Sequence, residues 1–320
     1  MRESNFALIA ADGAEIFIRR WVPESRLPRA GMPEPPPTAV LQIVHGLAEH
    51  SERYRRLATA LTSVGYAVYA HDLRGHGHTA KSKDDLGIFA EHDGWAKCMD
   101  DLWQLNRRIA ANHPKVPIIL LGHSMGATMA RQFMAEHGDA IAGVVLSACS
   151  GQPALLAEIG RFITRFERMR LGRRGRSALV QSLSFDAFNK KFEPAMTKFD
   201  WLSRDPEEVE KYVTDPLCGF ASRVQLWIDL LDAWIQISKS STTALVRKNL
   251  PVYVISGTND PVSAGTKALE PMLAGYRAAG LTNVSHKYYP EARHELLNEM
   301  NRDEVTKDLE EWMEDVVRKT

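Results

Sequence analysis

From Ala39 onward, short apolar runs alternate with longer amphipathic stretches. AVLQIV precedes a stretch through Tyr54 and Leu61, YAVYA precedes residues 95–111, PIILL precedes the residues after Ser124, and residues 141–146 form another apolar run. Continuous apolar runs of five or six residues suit strands buried on both faces, and the longer stretches repeat apolar residues at helical spacing. Strand alternating with helix in this way predicts an α/β fold with a mostly parallel sheet covered by helices on both faces. Ahead of it, residues 6–11 and 15–21 are β-favouring and are separated by Asp12-Gly13, which predicts an antiparallel hairpin. Residues 23–37 carry six prolines and predict an irregular loop.

After Ser150 the rhythm changes. Residues 151–246 hold few strand-like runs, many Arg, Phe and Trp, and several amphipathic segments of helix length. The strand pattern then resumes with VYVIS at 252–256, a helical stretch near 269–277, VSHKYY at 284–289 and a long amphipathic stretch through Trp312. The expected organisation is a core in two parts, 1–150 and 247–320, interrupted by a helical insertion at 151–246.

Composition narrows the function. Lys plus Arg and Asp plus Glu both total 40, whereas a nucleic-acid binder usually carries a net basic footprint. Cys98, Cys149 and Cys218 are widely spaced and odd in number, which suits reduced thiols filling the core better than a disulfide framework or a zinc site. The N-terminal apolar run is too short for a signal-peptide core, and no stretch nears the ~18–20 apolar residues of a membrane span. A cytoplasmic protein is expected, with surface contact to a membrane left open.

The candidate chemistry centres on PIILLGHSMGATM, where an apolar run stops at Gly122 and a helix-forming sequence begins after Ser124. Gly122 and Gly126 flank the serine with the G-x-S-x-G spacing, and small neighbours are needed where the backbone folds back on itself at a strand-to-helix turn. A serine hydroxyl is a poor nucleophile near neutral pH and needs a general base, usually a histidine oriented by a carboxylate. In open α/β sheets such groups gather beyond the carboxyl ends of strands. Asp260 follows VYVISGTND and His294 follows VSHKYYPEARH, each just past a strand. The order Ser124, Asp260, His294 is the order of an α/β-hydrolase triad.

The chain resembles the α/β-hydrolases, and most of all their monoacylglycerol lipase and lysophospholipase-type branch, which is also serine aminopeptidase-like. The resemblance rests on HGLAEHSERY at 45–54, HDLRGHGHT at 71–79, GHSMG at 122–126, SGTNDPV at 256–262 and ARHELLNE at 292–299. The insertion is similar to the cap of bacterial members. The resemblance implies an oxyanion hole formed by the backbone N–H groups of Leu47 and Met125. It also implies substrate contacts for Glu49 and Arg53 near the alcohol end of the pocket, the alternative being an i, i+4 surface ion pair. Leu297 stands where animal monoacylglycerol lipases carry a second histidine, a departure that weighs against glycerol recognition. The expected activity is hydrolysis of carboxylic esters of single-chain lipids, with amide cleavage as the alternative, for which Asp205, Glu207 and Glu208 could receive a substrate amine. A non-catalytic binding protein of the same fold is the remaining reading. No cofactor or metal is expected.

Other groups carry competing readings. His71, His76 and His78 surround Asp72 and suggest either a metal site or, by the resemblance, a family turn. His123 reads as a packing residue, and Asp100 and Asp101 as a solvated helix face. Residues 161–176 contain seven arginines and one glutamate, with Phe162, Phe166 and Met169 near helical spacing. Such a segment either lies on an anionic membrane or packs its apolar stripe on the core. Phe185, Phe188, Phe192, Trp227 and Trp234 suit either an acyl tunnel or simple core.

Overall fold

The computed structural model describes residues 1–24, 36–151 and 154–320, so most of the expected proline loop, at 25–35, lies outside the described residues. The hairpin β1 (Arg2–Ile9) and β2 (Glu15–Val22) leads into β3 (Val40–Val44), α1 (Arg55–Ser63), β4 (Ala67–His71), α2 (Gly94–Asn112), β5 (Ile118–His123), α3 (Met125–Glu136) and β6 (Gly143–Ser147). Then come α4 (Ala154–Leu171), α5 (Ala178–Leu183), α6 (Phe185–Asn189), α7 (Pro206–Thr214), α8 (Val224–Ile237) and α9 (Ser240–Ala244). The chain ends with β7 (Val252–Gly257), α10 (Leu269–Ala278), β8 (Val284–Tyr289) and α11 (Arg302–Arg318).

The strands form one sheet in the order β1-β2-β4-β3-β5-β6-β7-β8. All pairs from β4 to β8 are parallel, and the N-terminal hairpin adds antiparallel strands at one edge. Alternate residues of β3 serve opposite faces: Val40 and Val44 join the cluster with Leu102 of α2 and Phe133 of α3, while Leu41 and Ile43 join Leu61 of α1 and Leu309 of α11. Both faces are covered, which is why the strand is apolar without a break. Each fully buried leucine or isoleucine contributes about 1.5–3 kcal/mol relative to exposure. Cys98, Cys149 and Cys218 are buried and free.

One expectation is overturned. Asp101 faces inward from α2, and Arg74 donates to both of its oxygens, at 2.7 and 3.1 Å. Arg74 also bridges to Asp12 of the hairpin turn, so Asp101 ties α2 to two loops while Asp100 stays exposed. In the insertion, α7 starts at Asp205, whose carboxylate accepts the Glu207 N–H, with Pro206 in the first turn.

Candidate active site

Ser124 joins β5 to α3 at φ 53° and ψ −114°, a conformation that costs a non-glycine residue about 1–3 kcal/mol. Its N–H donates to Ser147 O across β6, and its carbonyl accepts the Ala127 N–H. The two glycines are sterically obligatory: a Cβ on Gly122 would sit 2.3 Å from Gly126 O, and one on Gly126 would sit 2.1 Å from Val44 O. Met125, as the first residue of α3, has an N–H without an intrahelical acceptor.

Asp260 and His294 come together from the loops after β7 and β8, with His294 Nδ1 2.9 Å from Asp260 Oδ1. A carboxylate only accepts, so the proton of this bond sits on Nδ1 and Nε2 keeps its lone pair. The Val262 N–H and the Ser256 hydroxyl also donate to Asp260. Gly257 lets the two loops meet, because a Cβ there would lie 2.1 Å from Ala292 O. Burial alone would push the His294 imidazole down; the charge and hydrogen bond of Asp260, aided by Glu295 and Glu49, outweigh it and hold His294 above its ordinary 6.5. His123 and Trp201 pack on the His294 ring at 5.0 and 4.9 Å. Burial drives His123 down to about 4, so it is neutral near pH 7 and packs as expected.

The third part is the turn after β3. His45 Nε2 accepts the Leu73 N–H at 2.9 Å, which puts the ring proton on Nδ1, and Nδ1 donates to Gly46 O at 2.7 Å. The Gly46 carbonyl and the Leu47 N–H share one planar trans peptide and point in opposite directions, so His45 sets the direction of the Leu47 amide. Gly46 N–H donates to Glu49 Oε1, which also accepts from Tyr54 at 2.9 Å.

Glu49 is buried and Arg53 nearly so, which rules out a surface pair. Arg53 Nη1 lies 3.3 Å from Glu49 Oε2, and Arg53 clasps both oxygens of Glu295, at 2.7 Å for Nη2 to Oε2. Glu49, Arg53, Tyr54, His123, Glu295, Leu297 and Asn298 enclose a cavity of about 10 Å³, room for about one water. Glu295 carried no signal in the sequence beyond its place beside His294; its partner stands 242 residues away.

Ser124, Leu47 and Met125 share the wall of a separate cavity of about 360 Å³. Its other lining side chains include Ile163, Leu183, Phe185, Phe188, Trp227 and Trp234. Phe192 is not among them and instead stacks under Arg293. Among the described residues the lining holds no charged side chain. Asp205 pairs with Arg302 and Glu208 with Arg56 and Lys211, away from this wall, and Glu207 is exposed.

The histidines around Asp72 hold a turn. Asp72 accepts the N–H groups of Ser51 and His78, while burial pushes His71 and His76 down to about 3 and keeps them neutral. Among the described residues, only His50, Asp215 and Cys218 bring three possible metal-ligand atoms within 4.8 Å of one another. There the His50 Nε2 to Asp215 Oδ2 contact of 2.8 Å already ties the turn to the insertion. Burial holds the Cys218 thiol well above its ordinary range, and the Arg53 charge nearby disfavours a cation.

On α4, Leu155, Ile159, Phe162, Phe166 and Met169 form one exposed stripe, with Phe162 75% and Met169 78% accessible. Of the two readings of this stripe, packing on the core is not what the structure has. Its arginines are turned aside to carboxylates and carbonyls, including Arg165 to Asp232, Arg170 to Glu167 and Arg174 to Asp85 and Glu91. No helix among the described residues is long and apolar enough to cross a membrane.

The profile of the serine aminopeptidase family S33 (Hydrolase_4) matches residues 35–301. The chain belongs to this family. Relatives match it over nearly its whole length. It is 28% identical over 318 residues to a monoacylglycerol lipase of Mycolicibacterium smegmatis, covering 97% of this chain and 96% of that one. It is 29% identical over 307 residues to the monoglyceride lipase of Homo sapiens, covering 92% and 88%. Among solved structures, a carboxyl esterase from Bacillus coagulans in complex with glycerol superposes with a TM-score of 0.87 at 24% identity, covering 99% of both chains. A monoglyceride lipase variant from Saccharomyces cerevisiae in complex with a substrate analogue superposes with a TM-score of 0.71 at 17% identity, covering 98% and 94%. These likenesses establish the α/β-hydrolase fold.

Proposed function

We propose that this S33-family chain is a serine carboxylic ester hydrolase acting on lipids with a single acyl chain, of the monoacylglycerol or lysophospholipid kind. The observation that carries this reading is the apolar cavity of about 360 Å³ opening at Ser124 with no charged lining among the described residues. Such a wall suits a hydrocarbon chain and leaves a substrate amine without a partner. The likeness to monoacylglycerol and monoglyceride lipases supports it.

In this mechanism His294 Nε2 takes the proton of Ser124 as its oxygen attacks the ester carbonyl, and Asp260 stabilises the imidazolium that forms. The Leu47 and Met125 amides receive the oxyanion, each such donor being worth about 10²- to 10³-fold in rate. His294 then protonates the leaving alcohol, and water repeats the sequence on the acyl-enzyme. Residues 151–246 act as a cap over the acyl chain, and the exposed stripe of α4 meets the lipid surface that supplies the substrate. Three buried free cysteines fit a cytoplasmic setting.

Ser124→Ala should lower kcat by about 10⁴- to 10⁶-fold with the fold intact, as triad knockouts do elsewhere. Assay against monoacylglycerols, lysophospholipids, short p-nitrophenyl esters and aminoacyl amides decides the substrate class. Retained ester turnover in the variant, or amides outpacing every ester, would overturn the reading.

A further inference from the structure

We propose that Glu295 is a positioning residue for the oxyanion pocket, acting through Arg53 and Glu49 on the Gly46–Leu47 peptide. The inference rests on the function proposed above and concerns how one of its donors is held.

The turn that offers the Leu47 amide is gripped at two consecutive peptides. His45 Nδ1 holds the Gly46 carbonyl, and Glu49 Oε1 holds the Gly46 N–H. Space there is closed as well: a Cβ on Gly46 would meet Glu49 Oε1 at 2.9 Å, His123 Cδ2 at 3.2 Å and Ser124 Cβ at 3.3 Å. Next along the turn, Ala48 lies at φ 57°, and its carbonyl is fixed by the Gly219 N–H and the Tyr212 hydroxyl, both at 3.0 Å. Only the orientation of the Glu49 carboxylate remains to be set.

That orientation depends on how Arg53 is shared. Burial raises the cost of the Glu49 charge, and the charges of His123, Arg53 and His45 with the Gly46 N–H outweigh it, holding Glu49 below the ordinary carboxylate range. His123 is neutral near pH 7, so Arg53 is the standing cation. Arg53 places a bidentate clasp on Glu295 and only one nitrogen on Glu49, and that one reaches Oε2 rather than Oε1. Glu49 Oε1 is thereby left to Gly46 and Tyr54. Asn298 Nδ2 donates to Glu295 Oε2 at 3.1 Å and steadies the far end. With Glu295 neutralised, the whole guanidinium turns to Glu49 and competes with the Gly46 N–H for its oxygens. Both bonds end on the Glu49 carboxylate, but the guanidinium brings a full positive charge that the Gly46 N–H lacks, so the carboxylate turns toward Arg53 and the Leu47 amide drifts from the oxyanion.

The test compares an ester with its thionoester, whose sulfur draws little from an oxyanion pocket. Both carry the same acyl chain and p-nitrophenyl leaving group, assayed with wild type and Glu295→Gln. Expected for Glu295→Gln are a fall in kcat on the ester of about 10- to 100-fold, up to the ~10²-fold loss of a whole donor, with KM within about threefold. The ester to thionoester rate ratio should fall by a similar factor. A displaced base would slow both substrates equally and leave the ratio unchanged; that result, or an unchanged kcat, overturns the proposal. Should Glu295→Gln fail to fold by circular dichroism, Tyr54→Phe removes one bond to Glu49 Oε1 and must lower the same ratio by about 3- to 10-fold; an unchanged ratio there overturns it equally. Retained turnover in Ser124→Ala would instead sink the underlying function, whatever Glu295→Gln does.

Discussion

The sheet and the helices inserted between β6 and β7 treat their side chains differently. Around the sheet, glycines admit backbone carbonyls at distances where a Cβ could not stand, as at Gly122, Gly126 and Gly257, and the polar groups of the site are fixed by named donors. In the insertion, α5, α6 and α9 are five or six residues long, apolar side chains of α4 face outward, and several arginines pair with partly exposed carboxylates, as Arg161 and Arg165 do with Asp232. Exposed pairs of that kind contribute about 0–1 kcal/mol each. Under the proposed function, bond-making geometry falls to the closely fitted parts and selectivity to the looser ones.

The largest test of that contrast lies on the sheet side. Asp260→Asn should lower kcat by about 10³- to 10⁴-fold through loss of the tautomer that leaves Nε2 unprotonated. Because His294 is held above 6.5 and must be neutral to act, wild-type kcat/KM should rise with pH through a midpoint above 6.5 and fall away below it. In Asp260→Asn burial dominates and the midpoint should move down; profiles from pH 5 to 9 that do not shift would break the argument. Next in size, replacing Phe162, Phe166 and Met169 together by serine should cut activity on vesicle-bound substrate by about 10-fold or more, with a dissolved short ester unaffected within about twofold. Equal loss on both substrates would mean the stripe supports the fold instead. Trp227→Ala enlarges the acyl cavity and should shift chain-length preference upward by about 3- to 10-fold, each methylene being worth about 0.8 kcal/mol; an unaltered preference would take Trp227 off the acyl path.

The smallest effect concerns the seam between the two regions. Asp229 of α8 has a buried Oδ2 without a hydrogen-bond partner, close to Gly94 at the start of α2. Burial, with Asp232 adding to it, pushes Asp229 up to about 6 against the pull of Gln225, Arg173 and Arg168. A carboxyl with a raised folded-state value loses stability as pH climbs from its unfolded value near 4 through 6, and the cost is full above that. Asp229→Asn should therefore stabilise the protein by about 1–3 kcal/mol at pH 8 and hardly at pH 4. Urea unfolding at both values checks this, and an equal gain at both would refute it.

Much of the sheet and the meeting of Asp260 with His294 were legible in the sequence, because buried parallel strands leave unbroken apolar runs and the loops after their carboxyl ends lie side by side. VSHKYY corresponds to β8 residue for residue. Asp101 was misread because its partner Arg74 comes from a distant turn, and helical spacing alone cannot tell a charged residue facing solvent from one facing a buried guanidinium. The α4 stripe was ambiguous for a related reason: a 3.6-residue period records that one face is apolar, not what covers it. Glu295 was invisible as a partner of Arg53, since pairing across 242 residues leaves no local pattern.

The loop that carries His294 is also stitched to the insertion by main chain. Leu202 O accepts the Glu295 N–H at 2.7 Å, Trp201 O the His294 N–H at 3.4 Å, and Arg293 reaches Ser203 O at 3.1 Å. This edge works as an interlock. Any swing that lifted residues 201–203 would unseat the imidazole with them, so the enzyme cannot gape there and react at once. The cavity is bordered elsewhere by α4 and α5, where apolar side chains such as Leu183 stand in the open.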